Sequence, residues 1–348
     1  MEKIVRFART RQPEKRVMGG LLAWMIAALI LANAVAITLW MAGAIYYDVC
    51  REGKCGRLCA AGWVGGVICL FAAWQPLWQP FAVLLGVAAP FLGWWLRQKP
   101  SHHRDWDPTV AVLPRAIRAG ETITIENVRN FDYRSLDDFT PRYETRSFDL
   151  ANLNSVDIIF FNWGSAWMSH PVLVFDFGSN GRVCMSIEVR YRKGQEYSIL
   201  RSFYRQQELI FLVADERDVI LRRTKHGQNQ EAYLYPFIAG VEELRIVFLD
   251  YVEAINHLYD RPRWYHGLCA NCTTTFYRLP SSRLRLDWRV LANGRLDRAL
   301  YESGRLDRTL PFPELRQIGY LNEVANAAPE DGFGDHIRRE LERRRHDR

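Results

Sequence analysis

Among the side chains able to act as nucleophiles, Cys272 stands out by its setting, directly after Asn271 at the predicted start of a helix. At such a position the helix dipole and the free N–H groups of the first turn favour a thiolate and lower a thiol's pKa. The same N–H groups could stabilise an oxyanion. A thiol nucleophile also needs a base and a group that orients the base. His170 opens a strand running to Phe177, and Gly178-Ser179-Asn180-Gly181 then turns the chain into the alternating segment Arg182–Arg190. Folding the two strands about that turn brings Glu188 or its neighbours opposite His170. A carboxylate there would fix the imidazole tautomer and stabilise the imidazolium. Ser186, Glu188 and Arg190 alternate with Met185, Ile187 and Val189, so the polar set faces away from the core side. The bland alternatives are a buried structural cysteine, a histidine held for packing, and an ion pair of Glu188 with Arg190 or Arg192.

Other chemistry is less well supported. His266, Cys269 and Cys272 form an H-x2-C-x2-C cluster with zinc-like spacing, but the sequence offers no fourth ligand, so no metal is expected. Phosphate loops, dinucleotide fingerprints and the G-x-S-x-G elbow are absent, so no cofactor is expected either. His102 and His103 beside the membrane segment are expected in the headgroup region.

The elements that must position these residues follow from short β-type runs separated by turns. Strands are predicted over Thr122–Ile125, Val156–Asn162, Val172–Phe177, Arg182–Arg190, Leu209–Ala214, Asp218–Arg223 and Ala232–Pro236. Helices are predicted over Tyr197–Gln207, over Glu242–Arg261 before Pro262, and from Cys272 onward with Asn271 as N-cap. The fold class is α+β, built on an antiparallel sheet. Gly294–Arg298 and Gly304–Arg308 share the sequence Gly-Arg-Leu-Asp-Arg, which reads as two similar helix-end turns rather than a repeat array.

Ahead of this domain the chain is a different solvent problem. Val17 to Tyr47 carries no charge, enough for one crossing, since about 20 apolar residues span a bilayer core. Leu58 to Leu96 is again uncharged and too long for a single crossing, and Gln75-Pro76-Leu77-Trp78-Gln79-Pro80 breaks it into a hairpin. The expected organisation is a basic N-terminus at 1–19, a membrane anchor at 20–97 and a lead-in at 98–155. A thiol domain at 156–325 and a charged tail at 326–348 complete it. The three spans lie near 21–46, 59–75 and 80–96, with Trp74, Trp78, Trp94 and Trp95 at the interfaces. The basic N-terminus belongs in the cytoplasm, and three crossings then carry everything after Arg97 outside it. Arg51, Lys54 and Arg57 in the first loop argue against that orientation, and a re-entrant hairpin at 59–96 would reverse it.

The net charge of +7 is modest and concentrated in terminal clusters such as Lys3/Arg6/Arg9/Arg11 and Arg343/Arg344/Arg345. No recognition motif accompanies it, so nucleic acid is not an expected partner. Seven cysteines are too few for a disulfide scaffold, although Cys50, Cys55 and Cys59 could pair on an oxidising side or remain unpaired.

Several stretches resemble a bacterial domain family named for the N-terminal periplasmic domain of the lipoprotein N-acyltransferase Lnb. They are Asn127–Arg134, Ser186–Arg190, Phe203–Leu209, Ala214–Asp218, Tyr233–Pro236 and Asn271–Thr274, in that order. The resemblance covers about residues 105–315. It departs at Leu268-Cys269-Ala270, where more polar residues are common, and at Pro171 directly after the histidine. What it implies is a thiol enzyme similar to circularly permuted papain-like folds, with Cys272 as nucleophile, His170 as base and Glu188 as orienter. Asn271, Thr273 and Ser186 would support them.

The expected activity is acyl transfer from a phospholipid to an amine, with the N-terminus of a lipoprotein as the acceptor the family suggests. The expected place is a bacterial inner membrane, multi-pass, with the domain in the periplasm; the sequence does not fix an oligomeric state. A cysteine peptidase or amidase of the cell envelope and a non-catalytic scaffold stay open. An apolar groove beside Cys272 would favour acyl transfer, and a polar cleft hydrolysis.

Overall fold

The computed structural model describes residues 12–163, 168–196, 198–227, 230–277 and 293–347, with side chains from Gly20 onward. The basic residues Lys3, Arg6, Arg9 and Arg11 lie outside this set, as does Tyr197. The chain divides into two compact units, Met1–Lys99 with Tyr204–Gln206, and Pro100–Phe203 with Gln207–Arg348.

The first unit holds α1 (Gln12–Ala44), extended by a π turn at Ile45–Val49, then α2 (Gly53–Ala73) and α3 (Trp78–Arg97). Gly20–Val49, Gly53–Ala73 and Trp78–Arg97 are long and apolar enough to cross a membrane. The first connection is much shorter than expected. Arg51, Glu52 and Gly53 all take positive φ (54°, 70° and 81°), reversing the chain at once, so Lys54 and Arg57 sit on α2 rather than in a loop. Pro80 falls in the first turn of α3, where its missing N–H costs no helical hydrogen bond. Trp74, Trp78 and Trp94 are exposed, but Trp95 is buried and donates its indole N–H to Asp48 Oδ2 at 2.7 Å. Asp48 Oδ1 accepts from Gln206 Nε2 at 2.6 Å, which ties the Tyr204–Gln206 tripeptide into this unit.

The second unit is built on one eight-stranded sheet. Its strands are β1 (Arg115–Ala119), β2 (Thr122–Arg129), β5 (Tyr143–Asp149), β6 (Ser155–Asn162), β7 (Ser169–Asp176), β8 (Arg182–Arg190), β9 (Glu208–Ala214) and β10 (Glu231–Pro236). The order is β1-β2-β9-β8-β7-β6-β10, with β5 also paired to β2. β3 (Asp132–Tyr133) and β4 (Phe139–Thr140) form a separate short hairpin. Every pairing is antiparallel except the single β2–β9 contact at Arg129 and Ala214. Residues 98–155, read from sequence as a lead-in, therefore supply three strands of the main sheet.

Helices cover both faces. One core gathers Ile158, Leu173, Met185, Ile187 and Phe211 of the sheet with α5 (Val241–Asp260), α6 (Cys272–Tyr277), α7 (Leu296–Glu302) and Leu315 of α8 (Phe312–Gly319). The opposite face buries Ile159, Val172, Val174 and Leu212 under α4 (Glu216–Thr224), α9 (Asn322–Ala327) and α10 (Phe333–His346). The expected strand at Asp218–Arg223 is thus part of α4, whose start is capped by Asp215 Oδ1 accepting from Arg217 N at 2.9 Å. The expected helix over Tyr197–Gln207 is reduced to a 3-10 turn at Arg201–Phe203. The charged tail is an amphipathic helix: Phe333, Ile337 and Leu341 pack into the second core, and Arg338 binds Asp157 at 2.5 Å and Glu216 at 3.0 Å. The Gly-Arg-Leu-Asp-Arg echo splits, the first copy leading into α7 and the second following its end at Gly304 (φ 76°).

Candidate active site

The β7–β8 hairpin sets the frame. Gly178 and Gly181 take positive φ (56° and 81°) in its connection, which residues without a Cβ adopt freely. The ladder pairs Leu173 with Met185, and the same register three residues further on puts Glu188 opposite His170. The side chains meet as that register predicts. His170 Nε2 lies 2.8 Å from Glu188 Oε1 and 2.7 Å from Ser186 Oγ, and the Ser186 hydroxyl donates to Glu188 Oε1 at 2.8 Å. His170 and Ser186 are buried, and Glu188 is partly so.

The polar stripe Ser186, Glu188 and Arg190 does face away from Met185 and Ile187, but not toward water. It enters the layer under α4, whose Arg223 donates to Glu188 Oε1 at 2.6 Å and lies 4.7 Å from the centre of the Phe161 ring. Arg190, a suspected partner of Glu188, is engaged elsewhere. It donates to Val110 O at 3.0 Å and Ala111 O at 2.5 Å, and meets His102 Nδ1 at 3.1 Å. His102 is therefore fixed inside the second unit, its Nε2 also facing Leu258 O and Tyr259 O at 3.1 and 3.0 Å.

Cys272 begins α6, which packs on β7 and β8. Asn271 caps this turn: its Oδ1 accepts from Thr274 N at 2.7 Å and Thr274 Oγ1 at 2.9 Å, and its Nδ2 donates to Gly267 O at 2.6 Å. The cap uses one first-turn donor, and Thr275 N is taken by Asn271 O at 2.9 Å. Those two N–H groups therefore cannot hold an oxyanion as the sequence suggested. The Cys272 sulfur lies 3.6 Å from Thr273 Oγ1 and is hydrogen-bonded to the His170 imidazole. The imidazole thus has both a carboxylate and the Cys272 sulfur as partners.

Electrostatics follow from this arrangement. Burial alone would push the His170 pKa down. The Glu188 charge and the hydrogen bonds from Cys272 and Glu188 outweigh it and raise the pKa to about 9. For Glu188, burial works toward protonation, but the charges of His170 and Arg223 hold its carboxyl well below the usual range. At neutral pH the pair is an imidazolium facing a carboxylate. Cys184, on the same face of β8 as Glu188, is buried among Val174, Leu212 and Ala214, and burial pushes its thiol well up. His266 Nδ1 accepts from Leu268 N and Cys269 N at 3.2 and 3.3 Å, closing a turn. Among the described residues the thiol group that converges is Cys50, Cys55 and Cys59 in the first unit.

Beside Cys272 a cavity opens between the sheet and α5–α7, and its wall is almost wholly apolar. Pro171, Leu173 and Ile187 line the sheet side, and Val247, Tyr251 and Leu300 the helical side. Pro171, whose position directly after His170 is a departure from the family pattern, is one of these wall residues. Arg223 and this cavity are the two parts of the site that the sequence did not reveal. Arg223 sits in a segment read as a strand, and its helical signals were the Asp215 cap and the acidic first turn, Glu216 and Asp218.

No curated protein and no solved structure matches the chain. The Asn127–Arg134 motif lies outside the family match, yet it is used: Arg129 is buried against Asp218, itself in the Ala214–Asp218 motif, at 2.5 Å. Residues 139–294, which carry His170, Ser186, Glu188, Arg223 and Cys272, match the family model described as the Lnb N-terminal periplasmic domain, the family that the chain's motifs resemble.

Proposed function

We propose that this chain is a thiol acyltransferase of the bacterial cell envelope, anchored in the inner membrane by its three apolar helices with the second unit in the periplasm. The observation that carries the reading is the coincidence of a sulfur bonded to a buried, carboxylate-held imidazole with an apolar cavity walled in part by the same cysteine. A peptidase or amidase would need a polar cleft for a peptide, whereas this wall suits a hydrocarbon chain.

In the proposed reaction the Cys272 sulfur attacks the carbonyl carbon of a phospholipid ester, its proton residing on His170. The carbon–oxygen bond breaks, the leaving alkoxide takes the proton from the imidazolium, and an acyl thioester remains on Cys272. An amine then attacks the thioester and gives its proton to the imidazole, and the sulfur leaves as thiolate, regenerating the thiolate–imidazolium pair. Glu188, backed by Arg223 and Ser186, keeps the imidazole oriented and stabilises its charged form throughout. The family name points to the N-terminal amine of a lipid-modified lipoprotein as acceptor. The resemblance to permuted papain-like enzymes, with histidine on a strand and cysteine at a helix start, fits the same roles.

The test is to incubate the full chain in lipid with phosphatidylethanolamine and measure intact mass. An acyl adduct that maps to Cys272, is released by hydroxylamine and is absent from Cys272→Ala is expected, with acyl transfer in that variant lowered at least about 10³-fold. Transfer at the normal rate by Cys272→Ala removes the thiol route.

A further inference from the structure

The cavity beside Cys272 has a defined length. Along α5, Glu243, Val247 and Tyr251 recur at four-residue intervals and all three line it. The first and last of them are separated by a rise of about 12 Å. Tyr251 marks the reacting end, its ring centre 6.2 Å from that of Phe276 on α6, the helix that begins at Cys272. The sheet gives a second ruler. Pro171, next to His170, pairs with Phe160, and Val156 marks the far end of the cavity on the same strand. Four residues of strand separate those levels, roughly 13 Å.

The far end is closed by charge. Val156 O accepts from Phe237 N at 2.9 Å, and Ile238 N donates to Arg305 O at 2.9 Å, which brings Arg305 to this end. Its guanidinium is gripped by Glu243, Nη2 donating to Oε1 at 2.8 Å and Nη1 to Oε2 at 3.0 Å. Both side chains are more than a quarter exposed, so the pair stands between the apolar bore and water. A methyl end driven past it would have to strip water from two charges or part them, which is unfavourable.

We infer that the cavity gauges the acyl chain, with Cys272 at the zero mark and the Glu243–Arg305 ion pair as the stop. With carbon–carbon bonds of about 1.5 Å, an extended chain advances about 1.3 Å per carbon, so the bore takes about ten carbons. The preferred acyl group is then of medium length, ten to twelve carbons. This inference rests on the proposed acyl transfer.

The experiment measures acylation of Cys272 in the full chain by intact mass, using phosphatidylethanolamines with acyl chains of 8 to 18 carbons. Wild type is expected to favour 10 to 12 carbons over 16 by about tenfold, a difference of about 1.4 kcal/mol in barrier. Val247→Phe, halfway along the bore, shifts the optimum toward 8 carbons. Glu243→Ala and Arg305→Ala raise the rate on 16 carbons relative to 10 by severalfold. Acylation of Cys272 with a flat chain-length profile, or a profile that neither the filling nor the opening variants move, overturns the gauge and leaves the transfer chemistry standing. Absence of acylation with every donor removes the acyl-transfer reading, and the gauge falls with it.

Discussion

Two of the buried charge clusters in the second unit differ in a way that separates scaffolding from chemistry. In the first, Arg129 and Asp218 are almost wholly enclosed. Asp218 accepts from Arg129 and from Phe131 N at 2.7 Å, while Arg129 also donates to Thr109 O at 2.8 Å. These contacts join β2 to α4 and end inside the protein. In the second, Arg223, Glu188 and Ser186 converge on His170, and the chain of contacts ends on a sulfur at the wall of a cavity. Both clusters use buried arginine and carboxylate. What differs is whether the last group meets another part of the fold or an open volume.

The largest expected effect of breaking that comparison comes from the enclosed pair. Asp218→Ala strands a buried guanidinium, and about 3–5 kcal/mol of stability should be lost. Thermal or denaturant unfolding of the full chain in detergent measures it. Replacing both partners, Arg129→Met with Asp218→Leu, should recover much of the loss, since apolar pairs of similar volume often match a buried ion pair. The equivalent double exchange, Glu188→Leu with Arg223→Met, should recover the fold in the same way but leave acyl transfer lost. Transfer at the wild-type rate in that second double variant would erase the distinction.

Next in size is a pH effect confined to the second cluster. Because the folded-state pKa of His170 is raised from 6.5 to about 9, its proton stabilises the folded chain. The contribution is complete below about pH 6.5, declines as pH rises toward 9 and is gone above it, amounting to roughly 3 kcal/mol. Stability measured from pH 6 to pH 10 should therefore fall more steeply in wild type than in His170→Gln. Parallel curves for the two proteins would mean that Glu188 does not hold the imidazole charged.

How much of this was legible in the sequence depends on the range of the interaction. β8 occupies the predicted span, Arg182–Arg190, because strict alternation is a local signal, and the hairpin register that pairs His170 with Glu188 follows from it. The three apolar helices are visible for the same reason. The α4 segment reads as a strand because Val219-Ile220-Leu221 looks like a short strand core. Its acidic first turn behind Asp215 was the better guide. The C-terminal stretch reads as a solvated helix or a disordered tail because five arginines obscure Phe333, Ile337 and Leu341, which recur at helical spacing. Arg223 and the cavity could not be read at all. The first depends on which face of α4 meets the sheet, and the second is bounded by side chains from strands and helices far apart in the chain.

The smallest expected effect tests whether the second cluster depends on where α6 begins. The Asn271 side chain bonds both forward, to Thr274, and backward, to Gly267. Asn271→Ala removes both contacts, and loss of an N-cap costs about 1 kcal/mol. Because the next residue is Cys272, the same change should loosen the sulfur from His170 and lower kcat about tenfold with little effect on KM. Asn271→Asp separates the two roles. Its carboxylate keeps the acceptor for Thr274 N and suits a helix start, so stability should return. It cannot donate to Gly267 O, and it brings a second negative charge beside the reacting sulfur, so activity should stay low. If Asn271→Ala loses its 1 kcal/mol and still turns over at the wild-type rate, the cap serves the fold alone, and the boundary between scaffold and chemistry lies between Asn271 and Cys272.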